Sequence, residues 1–486
     1  MKVRGVKLNY VLNITRTVLS TLIGLFTLPY INRALGVEAL GKFEYANSII
    51  SYFVLFSALG IPMYGIREIA RVRDSEYNRS KVTVELLAIL GITTIISYAL
   101  LFGIFIHLDF LQDYKFLIFV LAPTIFLSNF GFEWFFQGIE DQMYITIRFI
   151  VIKIITLILL FTLVKSPEDY VAYALIMVIS TVGANLFNLF YIRKFLNFKI
   201  LKRKDFEIKK HLKGIITIFL ATVSISIYLQ LDNTLLGVYG GDKHVGIYAT
   251  ANKLVRFAIL FVTTLGAVLL PRLSYFYENK KYDEYNLYLN KSLKYILFFS
   301  LPICALIFGL ADRIILVMAG SQFVDAIVPM KILSFLLLII GIAYYLAFMV
   351  MYPQGKERLY TILVFISAVI SVVLNIVFIP KYFELATSVV SVMVELIAII
   401  LMIFFLRKQL VNYGFFSIKN LNYFIGAILV YLVINLVQNI NLGDMLTILV
   451  AGLLGTSVYL VFLLIVKDYV IIESIQKLKI IYEKKK

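Results

Sequence analysis

The sequence predicts an all-α, polytopic membrane protein with about fourteen transmembrane helices. Of its 486 residues, 61% are hydrophobic and 15% are charged, and the mean hydropathy is +0.92. This composition is too apolar for a soluble globular protein. A spanning helix needs about 20 mostly apolar residues, and fourteen such segments follow one another along the chain. A function carried by a water-soluble domain is therefore not expected.

The fourteen predicted spans are joined by short connections and one longer basic segment. They cover residues 11 to 31, 43 to 64, 82 to 106, 116 to 136, 144 to 164, 170 to 192, 214 to 237, 246 to 270, 295 to 318, 327 to 351, 359 to 379, 385 to 406, 421 to 438 and 445 to 466. Lys and Arg collect in alternate connections, most densely from Arg193 to Lys213. The positive-inside rule therefore predicts that both termini are cytoplasmic.

The charge and the reactive residues exclude several function classes. The net charge of +17 follows from the topology, since no basic run is interleaved with stacking aromatics, and a nucleic-acid partner is not expected. The single cysteine, Cys304, cannot form an internal disulfide. The three histidines lie apart and no Walker-type glycine loop occurs in the sequence. Neither a metalloenzyme nor an ATP-driven pump is predicted, and no catalytic residues are assigned.

A sequence repeat divides the chain into two halves. Leu35-Gly36 followed by Gly41 to Asn47 recurs as Leu236-Gly237 followed by Gly246 to Asn252, and Gln137 to Tyr144 resembles Gln354 to Tyr360. Two six-helix units of the same orientation imply parallel repeats related by an axis along the membrane normal. The predicted organisation is an N-lobe over 1–200, a cytoplasmic basic linker over 201–213, a C-lobe over 214–410, two further spans over 411–467 and a cytoplasmic tail over 468–486.

The predicted tail has two interpretations. Apolar residues recur at helical spacing beside lysines, namely Ile471, Ile472, Ile475, Leu478 and Tyr482 beside Lys477 and Lys479. This pattern is typical of an amphipathic helix that lies on anionic membrane lipids. A solvated tail explains the same residues equally well.

Two cations mark the eighth predicted span as a candidate binding site. Lys253 and Arg256 share one helix face, and the repeat aligns them with Ser48 and Ser51. An ionised side chain at the bilayer centre costs roughly 2.5–3.5 kcal/mol on insertion scales and usually marks function. The pair therefore suits one anionic ligand held between the halves. Snorkelling to the outer interface is the alternative for Lys253 and is harder for Arg256.

Two further groups of polar residues lie within predicted spans. Asp232, Asn375 and Thr387 share one depth, and their oxygens suit a hard cation such as Na⁺ or a protonation site, although Asp232 could instead pair with Lys253. Glu133 and Arg148 lie about one turn inside the cytoplasmic ends of consecutive spans, where a structural ion pair is the favoured interpretation.

With these residues identified, the sequence resembles a known family of transporters. The resemblance rests on Leu28 to Gly36, Gly60 to Ala70, Gly246-Ile247-Tyr248 and Asn375 through Pro380. These stretches are similar to bacterial polysaccharide flippases of the Wzx or O-antigen transporter type, in the multidrug, oligosaccharidyl-lipid and polysaccharide exporter superfamily. The resemblance implies two six-helix lobes in a V around a polar cavity, which opens alternately to either side of the bacterial plasma membrane.

The resemblance also implies the cargo and the residues that hold it. The cargo would be a polyprenyl-diphosphate-linked oligosaccharide, and Na⁺ or H⁺ would be the coupling ion, with no other cofactor. The candidate substrate-binding residues are Arg16, Arg33, Asn47, Ser51, Asn252, Lys253 and Arg256; the candidate coupling residues are Asp232, Asn375 and Thr387. Peptidoglycan-precursor flippases carry more arginines on helices 1 and 2, so a capsule, O-antigen or teichoic-type unit is favoured. The protein is expected to be a monomer, and a polysaccharide polymerase and glycosyltransferases are its expected partners.

Three rival functions explain the sequence less well. A drug or cation antiporter of the same superfamily needs only twelve helices, and a cationic cavity suits cationic drugs poorly. A membrane-embedded polysaccharide polymerase or acyltransferase needs a catalytic histidine or acid cluster, which the sequence does not offer. A structural scaffold leaves the charges within the spans unexplained.

Overall fold

The computed structural model describes residues 6–202, 206–440, 442–473 and 475–476, without the side chains at 6–7, 10, 221, 224–229 and 264–268. In these ranges the chain forms helices and no β-strand, which confirms the predicted all-α class. The helices group into two compact units, Met1–Gly246 and Ile247–Lys486. The predicted boundaries of the lobes and linker stay a prediction.

The first unit consists of helices, the first of which is long and kinked at Gly36. Its helices are α1 (Val6–Ala58), α2 (Ile61–Val72), α3 (Glu76–Gly103), α4 (Lys115–Leu121), α5 (Pro123–Asn129), α6 (Glu133–Gly138), α7 (Gln142–Leu163), α8 (Tyr170–Val178), α9 (Asn185–Tyr191) and α10 (Lys209–Gly240). A π-helical turn, Ile179–Gly183, joins α8 to α9. The aromatic side chains of α6 pack on α2, where Trp134 contacts Gly65. This contact fixes α6 against the body of the unit.

The second unit contains the eighth to fourteenth predicted spans, whereas the seventh lies in α10 of the first unit. Its helices are α11 (Asp242–Glu278, from Ile247 onward), α12 (Tyr282–Met318), α13 (Ile327–Ser334), α14 (Leu336–Tyr344), α15 (Glu357–Asn412), α16 (Leu421–Gln438) and α17 (Asp444–Ile465). A π-helical segment, Tyr345–Met351, follows α14. The last two helices pack on α12, since Gln438 donates to the Gly309 carbonyl at 2.7 Å and Tyr459 donates to the Phe298 carbonyl at 3.0 Å.

The helices account for the fourteen predicted spans. Eleven described helical stretches are long and apolar enough to cross a membrane. Two of them, Val11–Val72 and Glu357–Asn412, each contain two predicted spans, and they are kinked at Gly36 and Phe383. The 32-residue helix α10 contains the seventh predicted span. The chain is therefore a multi-pass membrane protein, as predicted.

The two halves of the repeat meet at a pair of glycine turns. Gly36 has φ 71° and ψ −179°, and Gly241 has φ 77° and ψ −177°, which is a backbone conformation that only glycine adopts readily. Gly241 is therefore the structural equivalent of Gly36, and the sequence match of Gly36 with Gly237 is wrong. The side-chain faces of Gly41 and Gly246 then lie against the carbonyl oxygens of the opposite turn.

The predicted tail is described only in part. Ile471 is buried in the core of the second unit, and Glu473 lies 3.4 Å from Lys291 on α12. Leu478, Tyr482 and both lysines of the predicted amphipathic pattern lie outside the described residues. The interpretation of the tail as a lipid-bound helix stays a prediction.

Candidate functional site

The first unit contains a polar cavity between helices that carry predicted spans. Its volume is ≈ 480 Å³. The polar side chains that define its chemistry are Arg16, Glu133, Arg148, Lys153, Ser180 and Asn185. Three of these six are cations, and Glu133 is the one acid among the described lining residues. A cavity with surplus positive charge in a medium of low dielectric constant favours an anionic ligand.

Glu133 bridges two of the cations. Its Oε1 lies 3.3 Å from Arg16 Nη1, and its Oε2 lies 3.3 Å from Arg148 Nη2. The predicted pairing of Glu133 with Arg148 is thus confirmed as a contact, and Arg16 joins it. The Glu133 side chain is 41% exposed, whereas that of Arg148 is 6% exposed. The acid is therefore the accessible partner and Arg148 is the enclosed one.

Each arginine is also held by a neutral partner. Arg148 Nη1 donates to Asn185 Oδ1 at 2.9 Å, and Asn185 in turn donates to the Leu127 carbonyl at 3.0 Å. Arg16 Nη2 donates to Asn13 Oδ1 at 3.1 Å. The buried Nε of Arg148 has no acceptor among the described residues.

Lys153 is the third cation, and the sequence analysis did not assign it. Its Nζ donates to Ser180 Oγ at 2.6 Å, and Ser180 belongs to the π-helical turn Ile179–Gly183. Such turns widen a helix locally and occur often at functional sites. The signal was present in the sequence, because a lysine at the centre of the fifth predicted span carries the same insertion cost as the assigned cations.

The structure places the remaining first-unit candidates in two other concavities. Asn47 and Ser51 line a cavity of ≈ 260 Å³, which shares Thr181 with the cavity that Arg16 and Arg148 line. Ser51 Oγ donates to the Asn47 carbonyl at 2.7 Å. Arg33 lies beside Lys165 in a separate, open groove. Arg16 is thus the one predicted binding residue that lines the cationic cavity, among the residues described.

The second-unit candidates lie together on α11. Arg256 Nε donates to Asn252 Oδ1 at 3.0 Å, one helical turn away. Both side chains, and that of Lys253, are partly exposed. This hydrogen bond uses one of the five N–H donors of the guanidinium, and such donors suit an anion. Their joint action with the first half stays a prediction.

The predicted ion-coupling residues are all buried. Asp232 on α10 is 6% exposed, and Asn375 and Thr387 on α15 are 0% exposed. Asn375 Nδ2 donates to Ser371 Oγ at 3.2 Å, and Thr387 Oγ1 donates to the Phe383 carbonyl at 3.2 Å. These contacts use one amide N–H of Asn375 and the hydroxyl of Thr387, and oxygen atoms are the ligands that Na⁺ takes. The three residues fit a hard cation by their chemistry, and a shared site stays a prediction.

Comparisons with known proteins point to transporters and polysaccharide synthesis. A model of the polysaccharide biosynthesis protein family matches residues 6–276, and a MatE family model matches residues 217–380. A Shigella dysenteriae protein, whose name describes it as an O-antigen transporter, is 25% identical over 346 residues, which cover 71% of this chain and 85% of that protein. An Escherichia coli protein of the same name is 21% identical over 400 residues, which cover 80% of this chain and 93% of that protein.

Solved structures show the same fold. The lipid II flippase MurJ, in an inward closed conformation, superposes with a TM-score of 0.71 at 17% identity, covering 95% of this chain and 100% of that chain. A multidrug resistance MATE family transporter in an inward-facing conformation gives a TM-score of 0.61 at 18% identity, and the match covers 80% of this chain and 96% of that chain. At these identities the likeness concerns the fold and not the cargo.

Proposed function

Because the chain belongs to the polysaccharide biosynthesis protein family, we propose that it is a flippase for a polyprenyl-diphosphate-linked oligosaccharide. It moves this lipid from the cytoplasmic to the outer leaflet by alternating access and performs no covalent step. The O-antigen transporter names of two relatives and the fold shared with a lipid II flippase support this cargo class. The repeat unit would belong to a capsule, O-antigen or teichoic-type polymer.

The observation that carries the proposal is the cationic cavity of the first unit. Arg16, Arg148 and Lys153 line it together with one acid. Opposite unit charges about 4 Å apart attract by about 4 kcal/mol at an effective dielectric constant near 20, and guanidinium groups form paired hydrogen bonds with phosphate oxygens. The cavity therefore binds the diphosphate, which is the costliest part of the lipid to carry through the bilayer.

A multidrug exporter is the second candidate, because the MatE model matches residues 217–380 and a MATE family transporter shares the fold. The lining of the cavity argues against it. Three cations would repel a cationic drug, whereas they attract a diphosphate. Binding of a cationic dye that competes with a lipid diphosphate would favour the exporter.

The test replaces Arg148 in cells that depend on this protein for surface polysaccharide. We expect Arg148→Ala to lower export at least tenfold, because a charge-assisted hydrogen bond contributes about 1.5–3 kcal/mol and about 1.4 kcal/mol is a factor of ten. Arg148→Lys should retain part of the activity, since it keeps the charge. Arg256→Ala in the same assay measures whether the second unit contributes.

The matched control is Arg73→Ala. Arg73 forms an ion pair of 2.7 Å with Glu140 outside the cavity, so its loss should leave export near the wild-type level at equal protein amount. Full export by Arg148→Ala, with normal membrane levels, would contradict the assignment of the cavity to the cargo.

A further inference from the structure

Glu133 is an unusual member of the cationic cavity. A carboxylate repels a diphosphate, yet Glu133 is the one acid among the described residues that line the proposed diphosphate site. It lies 3.3 Å from each of two arginines and occupies the region between them where a ligand anion would bind. The residue therefore competes with the cargo for the same donors, or it positions those donors for the cargo.

The contacts of the arginines separate these two roles. Arg148 is held by Asn185 at 2.9 Å, and Arg16 is held by Asn13 at 3.1 Å. Both partners are neutral amides that use their oxygen atoms as acceptors, and Asn185 is itself fixed by the Leu127 carbonyl. The arginines thus keep their places without the carboxylate, and a positioning role is not required.

The exposure of the side chains points in the same direction. Glu133 is 41% exposed and Arg148 is 6% exposed, so the acid can leave while the cation stays. Gln137, one turn along α6, donates to Glu133 Oε1 at 3.4 Å and offers the carboxylate a partner outside the pair. Displacement therefore needs a side-chain movement and no unfolding of the helix.

The donors of the cavity exceed what one carboxylate can accept. Glu133 contacts one nitrogen atom of each guanidinium, through a single oxygen atom in each case. Lys153 is held by the neutral Ser180 hydroxyl. A diphosphate carries more oxygen atoms and more charge than a carboxylate, so it can occupy donors that Glu133 leaves unused.

We propose that Glu133 is an exchangeable internal anion, which pairs with Arg16 and Arg148 between transport cycles and is displaced by the diphosphate of the cargo. The proposal rests on the proposed function. Its consequence is that binding costs the energy of the internal pairs, which weakens the diphosphate complex and speeds release. The returning carboxylate then neutralises the arginines while the transporter resets without cargo.

The test measures binding of farnesyl diphosphate to the purified protein in lipid nanodiscs. Glu133→Gln keeps the size of the side chain and removes its charge. We expect a Kd at least tenfold lower than that of the wild type, with slower dissociation and slower transport of lipid-linked oligosaccharide. Glu133→Asp retains a carboxylate and should bind much more like the wild type, which also controls for folding. Competition by inorganic diphosphate shows whether the headgroup alone is recognised.

Glu140→Gln is the matched control. Glu140 is 38% exposed and pairs with Arg73 at 2.7 Å, so it resembles Glu133 in exposure and partner but lies outside the cavity lining. Its Kd should equal that of the wild type. Equal or weaker binding by Glu133→Gln would overturn the exchange while leaving the diphosphate site intact. Absence of binding by both the wild type and Glu133→Gln would overturn the diphosphate site and the exchange together.

Discussion

At the scale of single residues, a buried polar network joins α2, α3 and α10. The Glu85 carboxylate accepts a hydrogen bond from His211 Nε2 at 2.8 Å, and the Tyr64 hydroxyl lies 2.8 Å from His211 Nδ1. Glu85 and His211 are 0% and 1% exposed. Nearby Glu207 lies outside the spans, and hydrogen bonds from Lys210 and Lys81 lower the pKa of its carboxyl group. The Glu207 carboxylate therefore stays charged into mildly acidic solution.

We expect His211→Ala to lower the thermal unfolding midpoint of the purified protein. The substitution removes a hydrogen-bond partner of the fully buried Glu85 carboxylate. Loss of such a bond destabilises the folded protein by about 1–3 kcal/mol. Glu85 keeps its contacts with Lys210 at 3.6 Å and with the backbone amide of Glu207 at 2.7 Å, so we expect the loss of stability to stay within that range. His107→Ala is the control, since His107 is exposed. Equal unfolding midpoints for the His107→Ala and His211→Ala variants would contradict the argument.

At the scale of helices, hydropathy locates spans but does not show how short the connection between two spans is. Residues 32 to 42 read as an outer connection in the sequence, and in the structure a single non-helical residue, Gly36, makes the turn between two helical segments. The same holds at Phe383, which has φ 46° within α15. Apolar periodicity reports which residues avoid water. It carries no information on whether the backbone between two apolar segments stays hydrogen-bonded.

The paired glycine turns give a prediction at this scale. A Cβ added at Gly41 would overlap the Asp242 carbonyl oxygen, and one added at Gly246 would overlap the Val37 carbonyl oxygen. Backbone atoms cannot swing aside as a flexible side chain does, so each turn would have to shift. We expect Gly41→Ala and Gly246→Ala each to destabilise the protein by about 1–3 kcal/mol, which is the usual cost of overpacking.

Thermal unfolding of both variants in detergent tests this prediction, with Gly452→Ala as the control. Gly452 lies within α17 and has open space around its side-chain position. Alanine there should leave stability unchanged or raise it slightly, because alanine has the higher helix propensity. Wild-type midpoints for the Gly41 and Gly246 variants would show that the turns have room to separate.

At the scale of the whole molecule, the sequence predicted the fold more completely than the site. Composition and span counting were sufficient for the membrane class, and the family resemblance supplied Arg16 as a candidate. The cavity itself depends on contacts between residues far apart in the chain, such as Arg16 with Glu133. A single sequence does not report such contacts. Lys153 is a single cation within its span, and its role becomes visible only where the fold brings it beside Ser180 in the same cavity as Arg16 and Arg148.

The coupling of transport to an ion is a property of the whole molecule. Asp232 is 6% exposed on α10, and a buried carboxylate is costly unless a cation or a proton neutralises it. A ligand shifts a conformational equilibrium only through its differential affinity for the two states. We therefore propose that Na⁺ or H⁺ binding at Asp232 biases the transporter toward one of its two states.

Asp232→Asn tests this coupling, because it removes the charge and keeps the size of the side chain. In proteoliposomes with a sodium or a proton gradient imposed separately, we expect the variant to lose the wild-type response to the coupling gradient. Its affinity for farnesyl diphosphate should change little, since Asp232 does not line the cationic cavity. Asp109→Asn is the control, as Asp109 is exposed. A variant that keeps the full gradient response would show that Asp232 serves the packing of α10 and that the ion binds elsewhere.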